Sequence, residues 1–213
     1  MADDNNNLDV EIFDEDIRKR NRRNTYIFVA AIVLVVLAAI VSALLVNKYV
    51  ITSYEIDGVS MYPTLYGATY DEDGNKIIGD YVYLNKSKKS YKYGDIIVFV
   101  AETNPDGTEI KYVKRVIGVP GDTIELKNDR VYINGEAKEE PYINQDEDVH
   151  YDYLKIVVPE NSYFVMGDNR NHSTDSRFKW ADNNHCIKQE CIIGKAFLIK
   201  HASGKISWIK KVK

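Results

Sequence analysis

The run from Tyr26 to Val46 carries no charge and is apolar on every side. It matches the roughly 20 residues a helix needs to cross a bilayer. Arg18, Lys19, Arg20, Arg22 and Arg23 crowd its amino side, and only Lys48 closely follows its carboxyl side. Basic residues stay on the cytoplasmic side, so this asymmetry places the amino-terminal tail in the cytoplasm and everything after Lys48 outside. A cleaved leader is the competing reading, but its apolar core would be about 7 to 15 residues, shorter than this run. A core helix of a soluble protein would be apolar on one stripe only. The expected organisation is therefore a tail over 1–24, a single-pass cell-membrane anchor over 25–47 and an extracytoplasmic domain over 48–213. Met1 to Asp16, rich in Asp and Asn, offers too little apolar surface to offset ordering and is expected to be flexible.

After the anchor the pattern changes to short β-rich runs: Tyr81 to Leu84, Ile96 to Val100, Val113 to Val119, Val131 to Ile133, Ile192 to Ile199 and Ile206 to Ile209. Asp73-Gly74, Asp106-Gly107 and Asn134-Gly135 supply hairpin turns between runs of this kind. No helical period and no repeat follows the anchor, so the fold class is mainly β, one antiparallel domain behind one transmembrane helix. At 213 residues and 45% hydrophobic content the chain can hold one sizeable core. The net charge of −4 and the lack of a basic stripe argue against nucleic-acid binding. Cys186 and Cys191 are either two packed small residues or a disulfide across a short hairpin. No His, Cys or carboxylate spacing suggests a metal, and the Asp71–Asn75 stretch has its glycine misplaced for a calcium loop. Neither a metal nor a cofactor is expected. The acidic stretch from Lys127 to Asp152 reads as a solvated loop. Phe178, Trp180 and Trp208 suit either an apolar face on a lipid surface or the core.

Two segments carry the chemistry: Gly58-Val59-Ser60-Met61-Tyr62-Pro63-Thr64-Leu65 and Tyr112-Val113-Lys114-Arg115-Val116-Ile117-Gly118-Val119-Pro120-Gly121-Asp122. A serine hydroxyl becomes a good nucleophile when a neighbouring base takes its proton, and a lysine can be that base only if kept neutral. On a strand over 111–117, Lys114 shares a face with Tyr112 and Val116, while Lys111 faces the other way. Lys114 is the candidate for desolvation. Arg115 stays protonated and cannot be a base. Pro63 stiffens the loop that holds Ser60. His172, close to Ser173 and Asp175, does not make a triad, because such sites assemble from distant segments.

With Gly94-Asp95-Ile96-Ile97-Val98-Phe99 and Met166-Gly167-Asp168-Asn169-Arg170-Asn171-His172-Ser173-Thr174-Asp175-Ser176-Arg177, these runs resemble, in order, the signature segments of bacterial type I signal peptidases. The short central region and single anchor resemble the Gram-positive form. The resemblance implies a β catalytic domain of that type, with Ser60 as nucleophile and Lys114 as base in a Ser-Lys dyad. Its partners would be exported preproteins bearing signal peptides, and the lipid bilayer. It also implies that Ser173 hydrogen-bonds the lysine amine, and that Ile56, Met61, Leu65 and Val113 line shallow pockets for small side chains. Asp168, Arg170, Asp175 and Arg177 alternate in sign and are expected to form ion pairs that fix their segment against the Lys114 strand. The Ser60 N–H is the first oxyanion donor; Gly58 has no hydroxyl to supply a second. The alternatives are a specialised pilin-type or surface-assembly enzyme, and a non-catalytic anchored chaperone of the same fold.

Overall fold

The computed structural model describes residues 3–143, 148–178 and 185–209. The chain divides into two units, Met1–Lys48 and Tyr49–Lys213.

The first unit is a helix, α1 (Asp3–Tyr49). Its stretch Arg18–Val46 is long and apolar enough to cross a membrane, and the apolar side chains there are exposed. A surface of that kind suits hydrocarbon rather than water. The helix takes in most of the segment expected to be flexible. Nucleation is the costly step of helix formation, so a helix nucleated in the apolar run extends upstream with little further penalty.

The second unit is built on antiparallel strands, in chain order β1 (Ile51–Glu55), β2 (Thr69–Tyr70), β3 (Lys76–Ile77), β4 (Tyr81–Asn85), β5 (Ile96–Thr103), β6 (Glu109–Gly118), β7 (Thr123–Lys127), β8 (Arg130–Ile133), β9 (Glu136–Ala137), β10 (Leu154–Val157), β11 (Ser162–Met166), β12 (Ile187–Lys188), β13 (Ile192–Lys200) and β14 (Ile206–Trp208). The main sheet runs β1-β4-β13-β5-β6-β11-β12, with β14 paired to β13. A smaller sheet, β10-β7-β8-β9, takes in the start of the stretch expected to be a loop, through β8 and β9, and leaves the described residues after Ala137 up to Asp152 outside any strand. The sequence offered no glycine signal for the β7–β8 turn, because Asn128 and Asp129 make it with φ of 48° and 57°. Short polar side chains tolerate that left-handed region, so the connection forms without glycine.

The hairpin glycines fall where the sequence placed them, with Gly74, Gly107 and Gly135 at φ of 82°, 85° and 87°. The middle of the main sheet is covered on both faces. On β5, Ile96 and Val98 join a core with Ile56, Met61, Leu65, Val82 and Leu84, while Ile97 and Phe99 join another with Tyr91, Val116, Tyr163 and Val165. That two-sided burial is why β5 and β11 read as continuous apolar runs rather than alternating ones. A third core lies between the sheets, around Ile117, Ile124, Val131 and Phe164. Cys186 belongs to it, both cysteines are thiols, and burial pushes the Cys186 thiol up to about 12. Phe178 and Trp208 are surface residues, the latter tilted against Phe197 with ring centroids 6.0 Å apart. Trp180 lies outside the described residues, as do Asp146 and Glu147.

Candidate active site

The edges of β1 and β6 create the opening in which the site lies. β1 pairs with β4 alone, and β11 reaches only as far along β6 as Arg115. From Glu109 to Lys114, β6 is therefore paired with β5 on one side only. A cleft of about 340 Å³ opens there, lined by Tyr54, Ile56 and Val59 on one side and Lys111, Val113 and Lys114 on the other. Ser60, His172 and Thr174 also border it.

Ser60 sits in the turn that follows β1, after Gly58 at φ of 76°. Glycine adopts that conformation without the strain a side chain would bring, so the turn itself favours the residue found there. The Tyr62–Pro63 peptide is cis. Two buried side chains in the loop, Met61 and Leu65, point into the core with Ile56. Of the four residues expected to line pockets, Ile56 and Val113 border the cleft, and Met61 and Leu65 pack in the core beneath it together with Ile56. An irregular loop has no period from which side-chain direction can be read.

Lys114 is 3% exposed, and its Nζ lies 2.9 Å from Ser60 Oγ and 3.1 Å from the Val113 carbonyl. It also stands 5.1 Å from the centre of the Tyr112 ring, on the face the strand pattern assigned to both. Lys111, on the opposite face, is paired with Glu109 at 2.9 Å. Burial brings the Lys114 amine down to about 8, against the opposing pull of Asp175 and Asp168. The displacement from 10.5 corresponds to roughly 3 kcal/mol of penalty on the charged form. About half of the molecules then carry a neutral amine at pH 8, and about a tenth at pH 7.

Behind Ser60 stands the segment after β11. Asn169 donates its backbone N–H to the Ser60 carbonyl at 3.1 Å and its side-chain amide to the Val59 carbonyl at 3.1 Å. Gly167 makes the approach possible. A Cβ there would come 2.4 Å from the Ser60 carbonyl oxygen and 2.2 Å from Ser173 Oγ, so only glycine fits. Asp168 accepts a two-pronged ion pair from Arg115, at 2.8 and 2.6 Å, and a hydrogen bond from Thr64 at 2.5 Å. It thus joins the strand that carries Lys114 to the loop that carries Ser60. Asp175 is completely buried, accepts from the Gly167 N–H at 2.9 Å and pairs with Arg177 at 2.8 Å. Arg170 departs from the expected pattern: its partner is Glu140, from the acidic stretch, at 2.7 Å.

Ser173 is also buried, yet its Oγ makes no hydrogen bond among the described residues. The expected bond to the Lys114 amine is replaced by those to Ser60 and to the Val113 carbonyl. Sequence reasoning missed Asn169, Thr64 and Glu140 as individual residues. Asn169 and Thr64 lay inside the signature runs, but nothing in their spacing marked them as holding the nucleophile loop.

A serine and a desolvated lysine in hydrogen-bond contact, beside an open strand edge, are the parts of an acyl-transfer site. The family model described as "Signal peptidase, peptidase S26" matches residues 28–200. The chain belongs to that family. This peptidase is 40% identical over 154 residues to signal peptidase I S of Bacillus subtilis (strain 168), covering 67% of the present chain and 74% of that protein. It is 37% identical over 155 residues to signal peptidase IB of Staphylococcus aureus (strain COL), covering 65% and 74%. The crystal structure of a signal peptidase I from Enterococcus faecalis V583 is 32% identical and covers 51% of this chain and 98% of that one, with a TM-score of 0.40.

Proposed function

We propose that this peptidase is a membrane-anchored serine endopeptidase that removes amino-terminal signal peptides from exported preproteins by a Ser60–Lys114 dyad. The observation that carries the reading is the 2.9 Å contact between a buried lysine amine and the serine hydroxyl. In the ammonium form the nitrogen donates to Oγ; in the neutral form the direction reverses and the hydroxyl donates. Neutral Lys114 then takes the Ser60 proton as Oγ attacks the scissile carbonyl, and the lysine returns that proton to the leaving amine. Water, deprotonated by the same lysine, hydrolyses the acyl-enzyme. The Ser60 N–H is the donor assigned to the developing oxyanion.

Recognition follows from the two strand edges. An extended substrate laid in the cleft can hydrogen-bond to them, while alternate side chains turn toward Ile56 and Val113, which are assigned to the small residues before the cut. Asp168, with Arg115, and Asp175, with Arg177, hold the two halves of the dyad in register. Ser173 stands in reserve for the amine. The α1 helix serves as a single-pass anchor with its tail in the cytoplasm and the β unit outside, a sidedness supported by the basic residues before the apolar run. Confinement to the plane in which its substrates are still embedded raises encounter rates. The exposed aromatics Phe178 and Trp208 are assigned to the lipid interface.

Cleavage of a labelled preprotein by the protein in detergent, from pH 6 to 10, tests the proposal with wild type, Ser60→Ala and Lys114→Ala compared. Wild type alone should cut, after a small residue, at a rate rising through about pH 8. Equal inactivity of all three, with the preprotein still bound, would replace the protease with an anchored chaperone.

A further inference from the structure

We infer that Glu140 is a positioning residue for the nucleophile, acting from the smaller sheet's side of the molecule through Arg170 and Gly167. Nothing in its own sequence context, an acidic surface-like stretch, marks it. The side chains of Glu140 and Arg170 are 6% and 0% exposed, and the pair is two-pronged, with Nη1 to Oε2 at 2.8 Å and Nη2 to Oε1 at 2.7 Å. The N–H at Nε donates to the Gly167 carbonyl at 3.0 Å, and the Tyr151 hydroxyl accepts from Nη1. Gly167 is thereby gripped at both ends of its own backbone, its N–H by Asp175 and its carbonyl by Arg170. This glycine is also the residue whose missing side chain lets the chain close on the Ser60 carbonyl. Two residues on, Asn169 holds the carbonyls of Val59 and Ser60.

Without its counter-charge Arg170 is a buried cation held only by neutral acceptors, the Gly167 carbonyl and the Tyr151 hydroxyl, and it is drawn either toward water or, with that carbonyl, out of place. Either way the backing of the Ser60 turn shifts. A misplacement of about 1 Å at a site remote from the chemistry can cost about a hundredfold in rate. The cleft edges at Ile56 and Val113 lie on other segments, so the cost falls on turnover rather than on substrate binding.

The inference rests on the proposed protease activity, and its test has two arms so that the two can fail separately. In the kinetic arm, Glu140→Gln should lower kcat by about ten- to a hundredfold with KM within about twofold, and Glu140→Asp, which keeps the charge, should recover most of it. In the second arm, hydrogen exchange should speed up over 167–170 in Glu140→Gln, including the Asn169 N–H. This arm reads the inference even if wild type cuts nothing, a result that would sink the protease reading alone. Loss of folding is separated from loss of positioning by Glu140→Leu/Arg170→Met, which leaves neither charge unpaired. If Glu140 positions the nucleophile, this double variant regains the wild-type melting temperature while kcat stays low and exchange over 167–170 stays fast. Recovery of kcat along with stability, or unchanged exchange over 167–170 in Glu140→Gln, overturns the inference and leaves Glu140 a structural ion-pair member only.

Discussion

Lys114 and Arg115 are neighbours on β6, 3% and 2% exposed, and their surroundings drive them in opposite directions. Burial lowers the Lys114 amine to about 8, because the carboxylates that pull it back, Asp175 and Asp168, act without a hydrogen bond to it. Burial also weighs on Arg115, but the Asp168 carboxylate in direct contact overcomes it and leaves the guanidinium above its ordinary value. The nearly equal burial thus leaves an amine that loses its proton more easily at one position, the proposed base, and a strut at the next. What decides between them is whether a carboxylate touches the cation.

The largest expected effect comes from erasing that distinction. Lys114→Arg keeps the charge and removes the base, so cleavage should fall by roughly a thousandfold or more at every pH, with no alkaline recovery. Steady-state rates from pH 6 to 10 check this, and substantial activity would mean that Lys114 is not the base. Next in size is the strut. Asp168→Ala leaves Arg115 buried and unpaired and should cost about 3 to 5 kcal/mol, read as a fall in melting temperature in detergent. If it melts like wild type, the ion pair is not what joins the two segments.

A smaller effect has the opposite sign. Lys114 is depressed in the fold, so the unfolded chain binds more protons between pH 8 and about 10.5, and stability rises with pH across that window. The full cost of the buried ammonium is present below about pH 8. Lys114→Met should therefore stabilise the β unit by about 2 to 3 kcal/mol at pH 6, and the gain should vanish above about pH 10.5. Denaturation curves at the two pH values measure it, and a gain independent of pH would place the cost in packing rather than charge. The smallest effect sharpens the joint itself. Thr64→Val removes one donor to Asp168 and should cost about 1 kcal/mol, while leaving the rise in rate near pH 8 where it was.

The parts of the site that were legible in the sequence are those that depend on near neighbours. Strand alternation put Lys114 on the Tyr112 face and Lys111 on the other, and the structure keeps both there. Turn glycines marked three hairpins, and composition marked the anchor run. The ion pairs were legible only in part. Asp168, Arg170, Asp175 and Arg177 alternate in sign, yet only Asp175 and Arg177 pair within the segment. Asp168 takes Arg115 and Arg170 takes Glu140, because partners are chosen by distance through space. Met61 and Leu65 lay in a loop with no period, so nothing local said that they turn inward while Ile56 and Val113 border the cleft.

The sequence alone determined that an all-apolar run precedes a β domain, and that Lys114 rather than Lys111 shares a face with Tyr112; the proposed role of Ser60 came from the resemblance of its segment. The first two follow from composition and from the two-residue period of a strand, which act over a few neighbours. Only the tertiary structure decided that Lys114 reaches Ser60, 54 positions away, and that Glu140 comes to face Arg170 across 30 positions. Desolvation and ion pairing depend on which surfaces close over a group, and that is settled when distant strands meet.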